Sequence, residues 1–421
     1  MKRTAPLALL LIGTLFLAAC RPKVNTSTAT PTVAAAATTA APTLTAAPTN
    51  TVAPSDTPVP IYIPPTNTTA PIATAAPSQT AAPAATDTQA PPATATTAPL
   101  ATATTAPTAA ATVTASPAAT VVPAVYLDDR SNPTALMTSF ASAINLHQYL
   151  RAYSYWRTGA AQLPAYPQYA AGYSTTQSVQ VMLGVITGDA GAGQLYYSVP
   201  TKLVAQTTAN TTQTFVGCYI LHLSQPGIQG APPFQGLAID SAKVNQVANN
   251  ANTAALLAQA CSANPGGPLT VTPTPAANDI SAARYLDDRT DAVQVLRSLF
   301  NAVNRKEYVR AYSYWEPNAI GLQPYSQFEA GYTNTAAVTL TVGTVTGDAG
   351  AGQRYWKVPV TLLSRTTAAI TQTFVACYTL HLGLPDAQGV PPYQPIGIRS
   401  ATAKLVANNA DTATLMAQAC Q

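Results

Sequence analysis

Apolar side chains recur at Leu136, Phe140 and Ile144, and again at Val295, Leu299 and Val303. The four-residue spacing puts each trio on one helical face and predicts an amphipathic helix. Ser131 or Asn132 with Pro133, and Thr290 with Asp291, supply the start signals. A second short helix is predicted where Tyr149, Tyr153 and Trp156, and later Tyr308, Tyr312 and Trp315, fall at i, i+4 and i+7. After a loop rich in Pro and Tyr over 163–173, the period drops to two. Residues 179–187 and 194–205 read as strands around a Gly-rich hairpin loop at 188–193. Over 211–223 one face carries Phe215, Gly217, Tyr219, Leu221 and Leu223, and the other carries Val216, Cys218, Ile220 and His222. A further strand is expected near 236–247, and a closing helical turn over 253–261. Helices first and strands afterwards make an α+β class.

Every one of these elements occurs twice. Placing 126–261 over 285–420 at an offset of 159 aligns them without a gap, with 71 of 136 positions identical. Residues 124–261 and 285–421 are therefore read as two tandem domains joined by a linker at 262–284. Each copy carries two cysteines 43 residues apart, Cys218 with Cys261 and Cys377 with Cys420. One disulfide within each copy is the expected pairing for an exported chain. Metal binding is the competing use, but two cysteines without a nearby His pair do not make a zinc site.

Composition changes the picture for the N-terminal part. Of 37 Pro in the 421 residues, 18 fall within 21–123, a stretch with four charges and one aromatic residue, Tyr62. So little apolar volume cannot offset about 1–2 kcal/mol of backbone entropy per residue, and 20–123 is expected to be a disordered Ala/Thr/Pro-rich spacer. Before it, two basic residues, an apolar run and small residues lead to Cys20 in the order of a secretory signal. Leu17-Ala18-Ala19-Cys20 resembles the lipobox of bacterial lipoproteins. That resemblance implies a signal peptide at 1–19, acyl chains on Cys20, and anchoring to the outer face of a bacterial cytoplasmic membrane. The net charge of +4 includes Lys2 and Arg3 of the leader. No Lys/Arg stripe is present, which speaks against nucleic acid as a partner.

The helix 140–145, the polar break, Tyr149 to Trp156 and the strands that follow resemble the nuclear transport factor two-like superfamily, also called SnoaL-like or cystatin-like. The resemblance implies a cone-shaped domain in each copy, with helices packed on a curved antiparallel sheet around a pocket lined by tyrosines. Enzymes of that superfamily use inward Asp, His or Tyr for proton transfer. In the first copy the acids are Asp128 and Asp129 before the first helix, Asp189 in the Gly-rich turn, and Asp240, which becomes Arg399 in the second. His222 and His381 are the candidate bases, since imidazole titrates near neutral pH. Their strand face is that of the cysteines, however, which favours a structural role, and His147 reads as solvent-exposed. The Gly-rich loop lacks the Lys of a phosphate-binding loop. The leading expectation is a cell-surface lipoprotein with two non-catalytic binding or scaffolding domains, without cofactor or metal. Its expected partners are the membrane and either a small apolar ligand or an envelope protein. The alternative is an extracytoplasmic SnoaL-like isomerase, dehydratase or hydrolase acting on a small apolar substrate through His222 and His381. The copies are expected to sit as two beads with a small mutual contact.

Overall fold

The structure, a computed structural model, describes residues 125–269 and 279–421. The expected leader 1–19, the expected acylation site Cys20 and the expected Ala/Thr/Pro-rich spacer lie outside the described residues.

The first copy runs α1 (Pro133–Asn145), α2 (Tyr149–Ser154), α3 (Tyr166–Ala171), β1 (Thr176–Leu183), β2 (Thr187–Gly191), β3 (Gln194–Thr207), β4 (Thr212–Ser224), β5 (Ala238–Val247), α4 (Thr253–Gln259) and a short β6 (Gly267–Pro268). The second repeats the order as α5 (Ala292–Asn304), α6 (Tyr308–Tyr312), β7 (Trp315–Ile320), α7 (Tyr325–Tyr332), β8 (Thr335–Val342), β9 (Thr346–Gly350), β10 (Gln353–Thr366), β11 (Thr371–Gly383), β12 (Gly397–Val406) and α8 (Thr412–Gln418). Both copies are α+β, with helices at the N-terminal end and one largely antiparallel sheet.

Helix α1 starts where Asn132 accepts the Ala135 N–H at 3.0 Å, and α5 where Asp291 accepts those of Val293 and Gln294. Leu136, Phe140 and Ile144 are buried against the sheet, as are Val295, Leu299 and Val303. Each is worth about 1.5–3 kcal/mol relative to an exposed side chain. His147 is exposed, with φ of 57°, just past the end of α1.

Four local expectations change. The run 179–187 is not one strand: β1 pairs with the far half of β3 and β2 with its near half. The break falls at Gly184, whose N–H donates to the Pro200 carbonyl at 2.8 Å. In an antiparallel strand N and O of one residue face the same side, so Pro200 offers the neighbouring strand no N–H there. A Cβ on Gly184 would lie 2.9 Å from the Pro200 Cβ, so the close approach requires glycine. The second copy repeats this at Gly343 and Pro359. Secondly, Gly188 to Gly191 is strand rather than loop, with Asp189 opposite Tyr196, and only Ala192 and Gly193 make the turn, at φ of 49° and 77°. Thirdly, the Pro/Tyr-rich loop contains α3 and buries Tyr169 and Tyr173. Trp156 lies beyond α2 and instead forms a parallel bridge with Ile239.

The disulfides are Cys218–Cys261 and Cys377–Cys420, with Cα atoms 5.0 and 5.1 Å apart. They tie the middle of β4 and of β11 to the segment after the last helix of the same copy.

The copies meet through their matching Tyr-Leu-Asp-Asp-Arg segments. Arg130 N–H donates to the Asp287 carbonyl and Arg289 N–H to the Asp128 carbonyl, both at 2.7 Å. Asp128 N–H donates to Thr290 Oγ1 and Asp287 N–H to Ser131 Oγ. Tyr285 packs against the first core and Tyr126 against the second. Two loosely touching beads give way to a reciprocal joint, because each segment completes the neighbouring copy.

Candidate functional site: the cleft between the copies

The tyrosines expected to line an open interior fill it instead. Tyr155, Tyr169, Tyr173 and Tyr219 are buried in the first core, with Tyr169 and Tyr173 rings 5.2 Å apart. Burial drives the Tyr169 hydroxyl well above the usual phenol range, with the Tyr173 charge acting in the same direction. The second copy has Phe328 in place of Tyr169, which removes the hydroxyl.

Open volume lies between the copies. A cleft of about 1270 Å³ has Tyr153, Trp156 and Phe234 on one wall and Tyr312, Trp315 and Tyr393 on the other. Pro232 and Pro233, with Pro391 and Pro392, complete its rims. None of the rim residues was singled out by sequence, although the repeat carried the signal: Pro232-Pro233-Phe234-Gln235 recurs as Pro391-Pro392-Tyr393-Gln394 between strands that nothing else requires to be joined this way.

Arg130 and Arg289 also face the cleft, but their charges are engaged. Arg130 donates to the Ser154 carbonyl and hydroxyl, lies 4.5 Å over the Tyr155 ring, and approaches Asp128 at 3.5 Å. Arg289 makes the same contacts with Ser313, Tyr314 and Asp287.

The two candidate histidines differ. His222 sits on the Cys218 face of β4, buried, with Nε2 at 2.7 Å from Gln194 Oε1 and its ring 4.6 Å from that of Tyr196. Burial, and then the Arg157 charge, hold it below the ordinary imidazole range, with Asp240 opposing. It is not among the cleft residues. His381 is on the cleft wall, with Nδ1 at 2.5 Å from Glu316 Oε1 and Nε2 bonded to Gln353. Glu316 in turn approaches Arg399 at 3.4 Å. Both His381 nitrogens are thus held by protein, and Gln353 must move before Nε2 can exchange a proton with a bound molecule. The repeated Gln–His pair, Gln194 with His222 and Gln353 with His381, is a cross-strand lock common to both sheets.

Asp189, expected in a turn, is in strand β2. Asp240 pairs with Arg157 at 2.5 Å. Among the described residues no three His, Cys, Asp or Glu side chains gather to hold a metal ion. No described helix is long and apolar enough to cross a membrane.

No family model and no curated protein matches the sequence. Over 27% of its length the chain is weakly similar to a crystal structure from Streptomyces avermitilis, assigned as a dehydratase of the NTF2-like family. The match covers 91% of that chain at 14% identity, with a TM-score of 0.20.

Proposed function

We propose that the two copies together form a binding module that takes a small molecule with apolar faces into the cleft between them. The observation that carries this reading is the wall of aromatic rings contributed by both copies around a cleft of about 1270 Å³. Ring faces supply apolar area and stacking geometry, while engaged arginines leave little unpaired charge to attract an ion. In this reading each sheet wraps its helices as a cone whose interior is packed, and the shared cleft takes over binding. The Cys20 leader pattern supports export and acyl anchoring at the outer face of a cytoplasmic membrane, with 20–123 as the spacer. The test is titration of the full chain with 8-anilinonaphthalene-1-sulfonate, a small aromatic probe, followed by tryptophan fluorescence. Trp315→Ala is expected to weaken binding about tenfold, about 1.4 kcal/mol. Binding unchanged in Trp315→Ala and Trp156→Ala variants would place the ligand elsewhere.

One observation favours a second reading, an enzyme of the SnoaL-like kind: the His381–Glu316 pair faces the cleft. There Glu316 would orient the imidazole and Nε2 would act as base once Gln353 yields. Only the second copy has this pair, since Arg157 stands where Glu316 does. Loss of turnover in His381→Gln with ligand binding retained would establish this reading; equal loss in His222→Gln would argue against it.

A further inference from the structure

At the centre of the joint, Asp129 of the first copy stands opposite Asp288 of the second in an antiparallel bridge. The hydrogen bonds run from the residue after each Asp to the residue before the other, Arg130 to Asp287 and Arg289 to Asp128. This makes Asp129 and Asp288 a non-hydrogen-bonded pair, the kind in which facing side chains come closest. Two like charges directly opposite one another disfavour pairing. Each carboxylate accepts one local N–H, Asp129 Oδ1 from Ser131 and Asp288 Oδ1 from Thr290, both at 2.8 Å. Neither forms an ion pair of its own among those the described residues make. Both face a cavity of about 260 Å³ walled by Leu127, Thr138, Ser139 and Gln294.

We propose that Asp129 and Asp288 form a proton-dependent clasp, which holds the two copies together while the pair retains a proton and loosens the joint when both are ionised. The charged surroundings are unequal to neutralising it. Asp128 and Asp287 precede the pair on the two segments, Asp291 adds a third acid on the cavity wall, and of the neighbouring cations Arg284 acts on Asp129. Arg130 and Arg289 point instead to Asp128 and Asp287. From α1 and α5 the facing side chains are Thr138, Ser139 and Gln294, all uncharged. Burial first, and then the charge of Asp129, push Asp288 up to about 7, and burial raises Asp129 as well.

The sign follows from linkage. With the joint closed the pair keeps a proton to higher pH than in the open form, so closure is strongest below about pH 4, weakens as pH rises toward 7, and then levels off. The clasp does not depend on what the cleft binds.

The test is amide hydrogen exchange on the full chain, following Arg130 and Arg289, whose N–H groups cross the joint, against amides in β3 and β4 as references. After correction for intrinsic rates, their protection is expected to fall by about tenfold or more between pH 4.5 and 7.5 and to stay flat above that. In Asp288→Asn and Asp129→Asn the fall should shrink, because only one buried carboxyl is left without its like-charged partner, and in the double variant it should disappear, while the references are unmoved. A flat wild-type profile, or an undiminished fall in a folded variant, overturns the clasp. Should either variant fail to fold, the wild-type profile decides alone, because only a group titrating in the joint produces a fall confined to those amides that ends near pH 7.

Discussion

The same corner of the two copies is built with opposite charges. In the first, Arg157 pairs with Asp240 at 2.5 Å; in the second, Glu316 occupies the place of Arg157 and Arg399 that of Asp240, at 3.4 Å. The attraction is kept and its direction reversed, so the corner needs a pair and not a particular sign. The neighbouring histidine does register the sign. His222 stands near a cation that disfavours its charged form, whereas His381 hydrogen-bonds the carboxylate. A second contrast runs alongside. Buried Arg151 meets Gln148, the Leu127 carbonyl, Ser142 and Tyr155, while buried Arg310 has Glu307, at 2.5 Å, where the first copy has that Gln. Both guanidiniums lie over a tyrosine ring and reach neutral acceptors; only the second copy adds a carboxylate.

The largest effect is expected from that buried pair. Arg310→Ala leaves Glu307 buried among groups that lose their donor, though Arg305 still reaches it at 2.7 Å, and should destabilise the second copy by about 3–5 kcal/mol. Arg151→Ala leaves only neutral acceptors unpaired and should cost the first copy less, about 1–3 kcal/mol. Urea unfolding with exchange read separately in each copy checks the order; an equal loss would break the contrast.

Next come the disulfides, which do not differ. Cys261→Ser and Cys420→Ser each remove a bridge over 43 residues and should each cost about 2–4 kcal/mol. Calorimetry showing one loss several times the other would mean that the copies are less alike in their closing segments than their register indicates.

The smallest effect concerns the reversed corner. Arg157→Glu combined with Asp240→Arg gives the first copy the second copy's pair. The pair is partly exposed, so stability should change by less than about 1 kcal/mol. The His222 titration midpoint, read by proton NMR, should move up, because the swap reverses both charges and the one at 157 acts on His222 more strongly than the one at 240. In the native protein that depressed midpoint means fewer bound protons folded than unfolded. His222 therefore contributes fully above about pH 6.5, and stability falls as pH drops through its folded midpoint. An unmoved midpoint would assign the depression to burial alone.

Much of each copy was legible in the chain itself. Four-residue spacing in α1 and α5, two-residue alternation in β4 and β11, and paired cysteines on one strand face are local patterns, and the physics that makes them is local too. The alternation already put His222 and His381 on the face away from the core. Where local chemistry was ambiguous the reading failed: Gly188, Asp189 and Gly191 are turn residues by type, yet they form β2 because β3 offers them a partner edge. Pro/Tyr-rich sequence concealed α3 because its stability comes from burying Tyr169 rather than from helix propensity.

The repeat, the elements, the disulfide pairs and the low charge were determined by sequence alone, since each follows from periodicity, identity or composition within one copy. The joint and the cleft were decided only in three dimensions. Tyr-Leu-Asp-Asp-Arg, read by itself, is an acidic approach to a helix. Its function as a strand against its own duplicate, with two carboxylates face to face and a ring-walled space beside them, depends on a partner 159 residues away. Pairing over that separation is set by the packing of whole copies, and it leaves no period in the chain to read.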